Sequence, residues 1–428
     1  MPITERALRR LAGRLCVPED EARRVDAVSD DLERHLKKTL CSCLSVRWTV
    51  HRVVRGGSFS KGTAVKTEHI QYDVDLVVLL NMKVSTLLLD VVGVGKLLKQ
   101  GLERSLRLHQ DVVIDPSTLG NPYPHVGCTL DGVIFDVLAG VHMKKRRIDE
   151  PKGLAAAQLD AAQALILAER DFQSARELAN RLSVTCVESL NGVIRGEEHC
   201  VRQSIVLLKY WRSVNKLPKL KSVVAELIVL SAAHCLRIDG IDLSCLSLFV
   251  RSLEFLNLRS RSSARPRVLR YGHLSTYDAS DWSDFIAGTL TRAKDKNQRL
   301  IILNPAAPVL NVIDNVPQEK LQQWSDEAED ALRLLDQPHT QLNHIFPEGV
   351  KACPAVVRRP GSHARSRDRS LSAQSRPSRQ SSCALSHCSS RGRSRHSSRG
   401  SRHRSFRADG RYAFTACVAV EVPTHSHY

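Results

Sequence analysis

The sequence predicts an α/β (α+β) protein of two lobes with a tail. N-terminal helices and a mixed β-sheet catalytic lobe are expected over residues 1–152, a mainly helical lobe over 153–348, and a disordered Arg/Ser-rich tail over 349–428. Three observations predict this. Short apolar runs in the first third, such as Leu76-Val77-Val78-Leu79-Leu80, have the length of strands and are bounded by turn residues. From residue 154 onward apolar residues recur at helical spacing. After about Val350 the composition collapses to Ser and Arg, which cannot bury enough apolar surface to fold.

Each element follows from its local pattern. Leu8, Leu11 and Leu15 share one face of a first helix. A second helix begins at Pro18 and runs to about Leu40, with Val25, Val28, Leu32 and Leu36 apolar. Its other face carries Arg23, Arg24, Arg34, Lys37 and Lys38, which reads either as a solvated face or as one that meets a phosphate backbone. Val46, Trp48 and Val50 alternate as a half-buried strand that leads through Val53 and Val54 into Gly56-Gly57. Residues 84–108 read as helix, 112–114 as a short strand and 120–124 as a loop. Residues 125–128 and 133–138 form a hairpin around Asp131-Gly132. Helices follow over 154–182, 199–215, 221–237, 243–256 and 318–335, with a polar loop at 258–280 and a strand at 299–303.

The totals set limits. The chain has 428 residues, 42% of them apolar, which suffices for two domains with a sizeable core. No apolar run is long enough for a transmembrane helix, and the N-terminus lacks the apolar core of a signal peptide. Twelve cysteines without a regular spacing read as reduced thiols of a cytoplasmic protein, with the nucleus as an alternative given the Arg/Ser-rich tail. The net charge of +18 is uneven. Residues 354–428 hold 15 arginines and 3 acids, a net of +12, which leaves +6 on the other 353 residues. The tail reads as an RNA-binding segment, a phosphorylation target or an extension without a role.

The chemistry gathers in one stretch. Gly56-Gly57-Ser58 is a turn whose glycines let backbone amides approach a phosphate, with Ser58 as a further donor. Asp73 and Asp75 lie two apart on the following strand and so face the same way. Two carboxylates that close repel each other, and a divalent cation resolves the conflict. Asp136, inside the apolar strand around Phe135, completes a three-carboxylate metal site if its strand lies beside the first. Two Mg²⁺ ions held there suit activation of a hydroxyl and clamping of a triphosphate. The ordered set predicts a nucleotidyltransferase.

These motifs resemble the 2′-5′-oligoadenylate synthase family over roughly residues 5–345. The family's Gly-Gly-Ser loop with Lys-Gly-Thr, its Asp-x-Asp-Leu-Val-Val and its Phe-Asp-Val-Leu stand here at residues 56–58, 61–63, 73–78 and 135–138. Further likenesses are residues 205–211, 216–218, 226–227, 302–306 and 311–312, and the helix bearing Trp324. The resemblance implies a two-lobed nucleotidyltransferase fold and polymerisation of ATP into 2′-5′-linked oligoadenylates, with pyrophosphate released. It implies Asp73, Asp75 and Asp136 as catalytic and metal-holding residues for two Mg²⁺ ions. It implies Gly56, Gly57, Ser58 and Lys209 as nucleotide-binding. It also implies a role in antiviral innate immunity, either activated by double-stranded RNA, with Arg34, Lys37, Lys38, Lys61 and Arg195 as candidate RNA contacts, or independent of RNA as in invertebrate-type members; no membrane partner is expected, since no apolar run is long enough to span one.

The chain departs from the family pattern at several places. Val206 stands for an arginine, Val223 for a base-stacking aromatic and Asn304 for an aspartate, and the loop before Asp73 is about three residues longer. The departures keep two alternatives open: a nucleotidyltransferase with another product, such as a cyclic dinucleotide, and a catalytically weak RNA-binding scaffold.

Overall fold

The structure, a computed structural model, describes residues 3–67, 72–89, 91–119, 125–143, 154–217, 220–259, 266–269 and 280–347. All of them belong to one compact unit; the chain's second unit, Pro354–Thr415, lies outside the described residues, as do the loop 120–124, Pro218 and the whole Arg/Ser-rich tail.

Two helices lead. Helix α1 (Glu5–Leu15) starts at Thr4, whose hydroxyl accepts from the Ala7 amide as an N-cap. Helix α2 (Glu19–Cys43) opens with three acids in its first turn, where they favour the helix dipole. A five-stranded sheet then forms from β1 (Val50–Arg55), β2 (Asp73–Leu80), β3 (Val113–Ile114), β4 (His125–Leu130) and β5 (Val133–Val141). Between these strands lie a four-residue helix α3 (Gly57–Ser60), then α4 (Val84–Leu89), α5 (Val91–Arg107) and α6 (Pro116–Leu119).

The strand order is β1-β2-β5-β4-β3. Strands β2 and β5 are parallel and the other pairs antiparallel, so the sheet is mixed as expected. The central pair is apolar on both sides because the sheet is covered. Leu76, Val78 and Leu80 pack with Phe135 and Val137 against Leu32, Leu36 and Leu40 of α2 and Leu98 and Leu102 of α5. Asp131 and Gly132 form the β4–β5 turn with positive φ at both residues, the requirement of a tight two-residue hairpin.

The second half is mainly helical: α7 (Leu154–Leu167), α8 (Phe172–Leu182), a 3₁₀ turn (Ser183–Cys186), α9 (Val187–Gly196), α10 (His199–Val214), α11 (Ser222–Ile238), α12 (Cys245–Leu256), α13 (Ser283–Asp295), α14 (Gln318–Leu335) and α15 (Leu342–Ile345). Residues 201 and 203–211 of α10 are all buried, so this helix is the axis of the lobe rather than an amphipathic surface helix. Around it pack α1, α11 and α12, and α14 packs on the outside of α12, with Trp211, Phe249 and Trp324 fully buried. A second core joins α7, α8 and α13 to a small sheet of β6 (Arg267–Leu269), β7 (Leu300–Asn304) and β8 (Ala307–Asn311).

Helix α1 differs from expectation. Ala7, Leu8, Leu11, Ala12 and Leu15 enter the helical core with α10 and α12, so the first helix packs with the second lobe, away from the sheet it precedes. Glu5 fixes it there by accepting from the amides of Cys245 and Leu246 at the start of α12. Among the described residues, no helix is long and apolar enough to cross a membrane. The eight described cysteines are all free thiols.

Candidate active site

Strand β2 begins at Asp73, and β5 runs parallel to it with Asp75 directly opposite Asp136. The strand adjacency on which the three-acid reading depended is therefore present. One carboxylate oxygen from each of Asp73, Asp75 and Asp136 lies within 4.8 Å of the others. The loop after β1 closes on this trio. The Gly56 amide donates to the Asp75 carbonyl at 2.7 Å. Gly57 has φ +68°, and a Cβ there would sit 1.8 Å from Asp75 Oδ2. Glycine is required twice over, by backbone conformation and by space.

We therefore expect Gly57→Ala to displace the Asp75 carboxylate and, in an assay of the activity proposed below, to lower kcat/KM by about 10²-fold or more, the effect of a misplacement near 1 Å. Pyrophosphate release measured on a variant with an unchanged circular-dichroism spectrum checks this.

The electrostatics follow from crowding. Burial, followed by the charges of Asp73 and Asp136, pushes the Asp75 carboxyl up to about 7. Burial and the Asp136 charge also raise Asp73. Asp136 is lowered instead, first by a hydrogen bond from His125, whose Nε2 is 2.9 Å from Asp136 Oδ1. Among the described residues, no lysine or arginine forms an ion pair with any of the three acids. Three hard oxygen donors converge with His125 on Asp136 as their one direct cationic partner among the described residues, and this donor set fits a divalent cation such as Mg²⁺.

A second charged cluster backs the loop. Glu226 of α11 is fully buried and takes two ammonium groups, Lys61 Nζ at 2.7 Å and Lys209 Nζ of α10 at 2.6 Å. Lys209 also reaches the Thr63 hydroxyl at 3.1 Å. Burial alone would raise the Glu226 carboxyl, but the two lysines outweigh it and hold it below the usual carboxylate range. Residues 61–63 are thereby tied to the two central helices. Ser58 accepts from the Thr63 amide at 3.0 Å through its backbone carbonyl, so the loop's own bonds fix its shape.

The sequence-predicted residues therefore separate. Gly56, Gly57, Ser58, Asp73, Asp75 and Asp136 come together, with the buried Lys209 behind them. Lys61 does not lie on an outer basic face: it is 6% exposed and paired with Glu226. Arg34 and Lys37 are exposed but paired along α2, with Asp31 at 2.6 Å and Glu33 at 2.6 Å; Lys38 is exposed. Helix α2 holds seven acids against five basic residues, so it is not a basic face. The acids interleaved with these cations offset their charge along the helix. Arg195 is exposed, and its Nε donates to the Ser60 carbonyl at the end of α3. It lines a groove with Arg55, Phe59, Lys61 and Arg202. Two functional side chains carry no sequence signal of their role: His125, which reads only as the start of a hairpin strand, and Glu226, whose partners Lys61 and Lys209 are distant in sequence.

The structure of E. coli MS115-1 CdnC with ATP superposes on this one with a TM-score of 0.52 at 19% identity, covering 82% of this chain and 98% of that one. The CdnC:HORMA-deltaN complex from the same organism gives 0.51 at 18% identity, covering 81% and 96%. This is a two-lobed nucleotidyltransferase fold. A cytoplasmic RNA terminal U-transferase superposes less well, with a TM-score of 0.47 at 15% identity over 80% of this chain and 97% of that one. No protein-family model and no curated protein matches the sequence. In this nucleotidyltransferase fold the three acids stand at the start of β2 and within β5, beside the Gly-Gly-Ser loop.

Proposed function

We propose that the chain is a nucleotidyltransferase that joins ATP molecules into 2′-5′-linked oligoadenylates. The observation that carries the enzymatic reading is the convergence of Asp73, Asp75 and Asp136 within 4.8 Å against the Gly56-Gly57-Ser58 loop. The 2′-5′ linkage rests on the motif resemblance. The 2′-hydroxyl oxygen of an acceptor attacks the α-phosphorus of a donor ATP; the bond from that phosphorus to the bridging oxygen breaks, and pyrophosphate leaves with the electron pair. The hydroxyl proton passes to Asp136, which is held ionised. The Gly57 backbone amide and the Ser58 hydroxyl receive the donor phosphates, while Gly56, bonded to the Asp75 carbonyl, holds the loop against the acids. When bound at the three acids, Mg²⁺ ions supply positive charge to the phosphates and acidify the attacking hydroxyl. Arg195 and Arg202, on the groove behind α3, are the contacts we assign to a double-stranded RNA activator.

A second reading, a cyclic dinucleotide or another product, is favoured by two observations. The fold is similar to that of CdnC bound to ATP. Val206 and Val223 stand where the synthase pattern has an arginine and a base-stacking aromatic. Incubation of the full chain with ATP and Mg²⁺, with and without double-stranded RNA, separates the two. Oligoadenylate that resists a nuclease specific for 3′-5′ bonds supports the synthase. A cyclic product, or turnover only when a second nucleotide is added, supports the alternative and removes the synthase reading.

A further inference from the structure

His125 opens β4 and is 24% exposed at its side chain. The strand register explains how it reaches the third acid. Gly127 is the direct neighbour of Asp136 across β4 and β5, and His125 is paired with Leu138. A residue two places along the strand meets Asp136 on the diagonal, within reach of a long or aromatic side chain. A Cβ at Gly127 would lie 2.9 Å from Thr118 Cγ2 and 3.6 Å from Asp136 Oδ1. Glycine thus keeps the span between His125 and Asp136 free of another side chain. The surroundings of that span are themselves fixed. The Gly127 amide donates to Thr118 Oγ1 at 3.1 Å, and Lys99 Nζ donates to the Thr118 carbonyl at 2.5 Å.

His125 Nε2 and Asp136 Oδ1 are 2.9 Å apart; with Nε2 carrying its proton the ring donates to the carboxylate oxygen. Asp73 and Asp75 have no such histidine, lysine or arginine donor among the described residues. The three acids are therefore not equivalent: one has its orientation fixed from outside the trio.

We propose that His125 is a positioning residue for the metal site. Its bond to Oδ1 stops the Asp136 carboxylate from rotating, leaves the second oxygen to complete the three-acid set, and so raises the affinity of that set for a divalent cation. The proposal rests on reading the three acids as metal ligands. Pre-fixing a ligand removes the cost of ordering it when the cation arrives.

The test is a titration of the full chain with Mn²⁺ at neutral pH, with free Mn²⁺ followed by its electron paramagnetic resonance signal. Wild type is compared with Asp75→Asn, His125→Ala and His125→Gln. We expect Mn²⁺ binding that Asp75→Asn removes. His125→Ala weakens it by about 10-fold or more, the usual effect of losing a partner behind a ligand. His125→Gln keeps an amide donor at similar reach and recovers affinity to within about 3-fold of wild type. Equal affinity in wild type and a folded His125→Ala overturns the proposal and leaves the three-acid reading standing. Equal weakness of the Ala and Gln variants also overturns it, because shape rather than donation then matters. Absence of Asp75-dependent binding in wild type overturns the metal reading and this proposal together.

Discussion

Asp75→Asn is expected to lower nucleotidyl transfer by about 10³-fold or more while making the metal-free protein more stable at neutral pH. The two effects share one cause. The Asp75 carboxyl is pushed up to about 7 by burial and by Asp73 and Asp136. Its charged form is therefore penalised in the folded state, by an amount on the order of 4 kcal/mol. The sign follows from linkage. Below the ordinary carboxylate range Asp75 is protonated both folded and unfolded and contributes nothing. As pH rises through the ordinary range toward 7 the unfolded chain loses the proton first, and stability falls. Asparagine has the same shape and no charge, so it removes the penalty. Thermal melts in EDTA at pH 7.5 should place the variant several degrees above wild type, and the gap should close near pH 4. Mg²⁺ should raise the wild-type melting temperature and leave the variant unchanged. An Asp75→Asn protein no more stable than wild type in EDTA contradicts a crowded, uncompensated acid trio.

Glu226→Ala should give the largest loss of stability of any single substitution we propose, about 3–5 kcal/mol. It strands the Lys61 and Lys209 ammonium groups, which are 6% and 3% exposed, without the one carboxylate that pairs with them among the described residues. Removing one partner of a buried ion cluster costs more than the cluster contributes, because the remaining charge is left desolvated. The Glu226 carboxyl lies below its ordinary range, so its contribution is present above that range and is lost as pH falls through the folded value. The cluster also ties residues 61–63 to α10 and α11, so nucleotide affinity should fall with stability. Urea unfolding at pH 7.5 measures the first effect and equilibrium ATP binding the second. A stability loss under about 1 kcal/mol contradicts the burial of an unpaired charge.

What the sequence made legible was whatever depends on local pattern. The acids of β2 and β5 were readable because a charge inside an apolar strand needs a reason. Helix α14 was readable to the residue because Leu321, Trp324 and Ala328 mark one clean face. The missed elements lack such a signal. Strand β6 is three residues within a polar, arginine-rich stretch. Strand β8 contains Pro308, and it pairs with β7 around an irregularity at Leu303 and Asn304. Helices α9 and α13 carry apolar residues at helical spacing, Val187, Leu190 and Ile194 in the first and Phe285, Ile286 and Leu290 in the second, but each is short and interrupted by an internal glycine that weakens the signal. At the site, misplacements came from long-range pairing. Lys61 reads as a surface charge until Glu226, 165 residues away, meets it in the core. His125 is silent in sequence because its role exists only across the β4–β5 pair, over the gap left by Gly127.

The central claim is that Asp73, Asp75 and Asp136 together hold a divalent cation beside the Gly-Gly-Ser loop. Anomalous diffraction from crystals of the full chain with Mn²⁺ and a non-hydrolysable ATP analogue tests it most directly. The account predicts an anomalous peak bonded to oxygens of all three carboxylates, with the analogue's phosphates between that peak and residues 56–58. A bound analogue with no anomalous density at the three acids, or with Mn²⁺ held elsewhere, would contradict it.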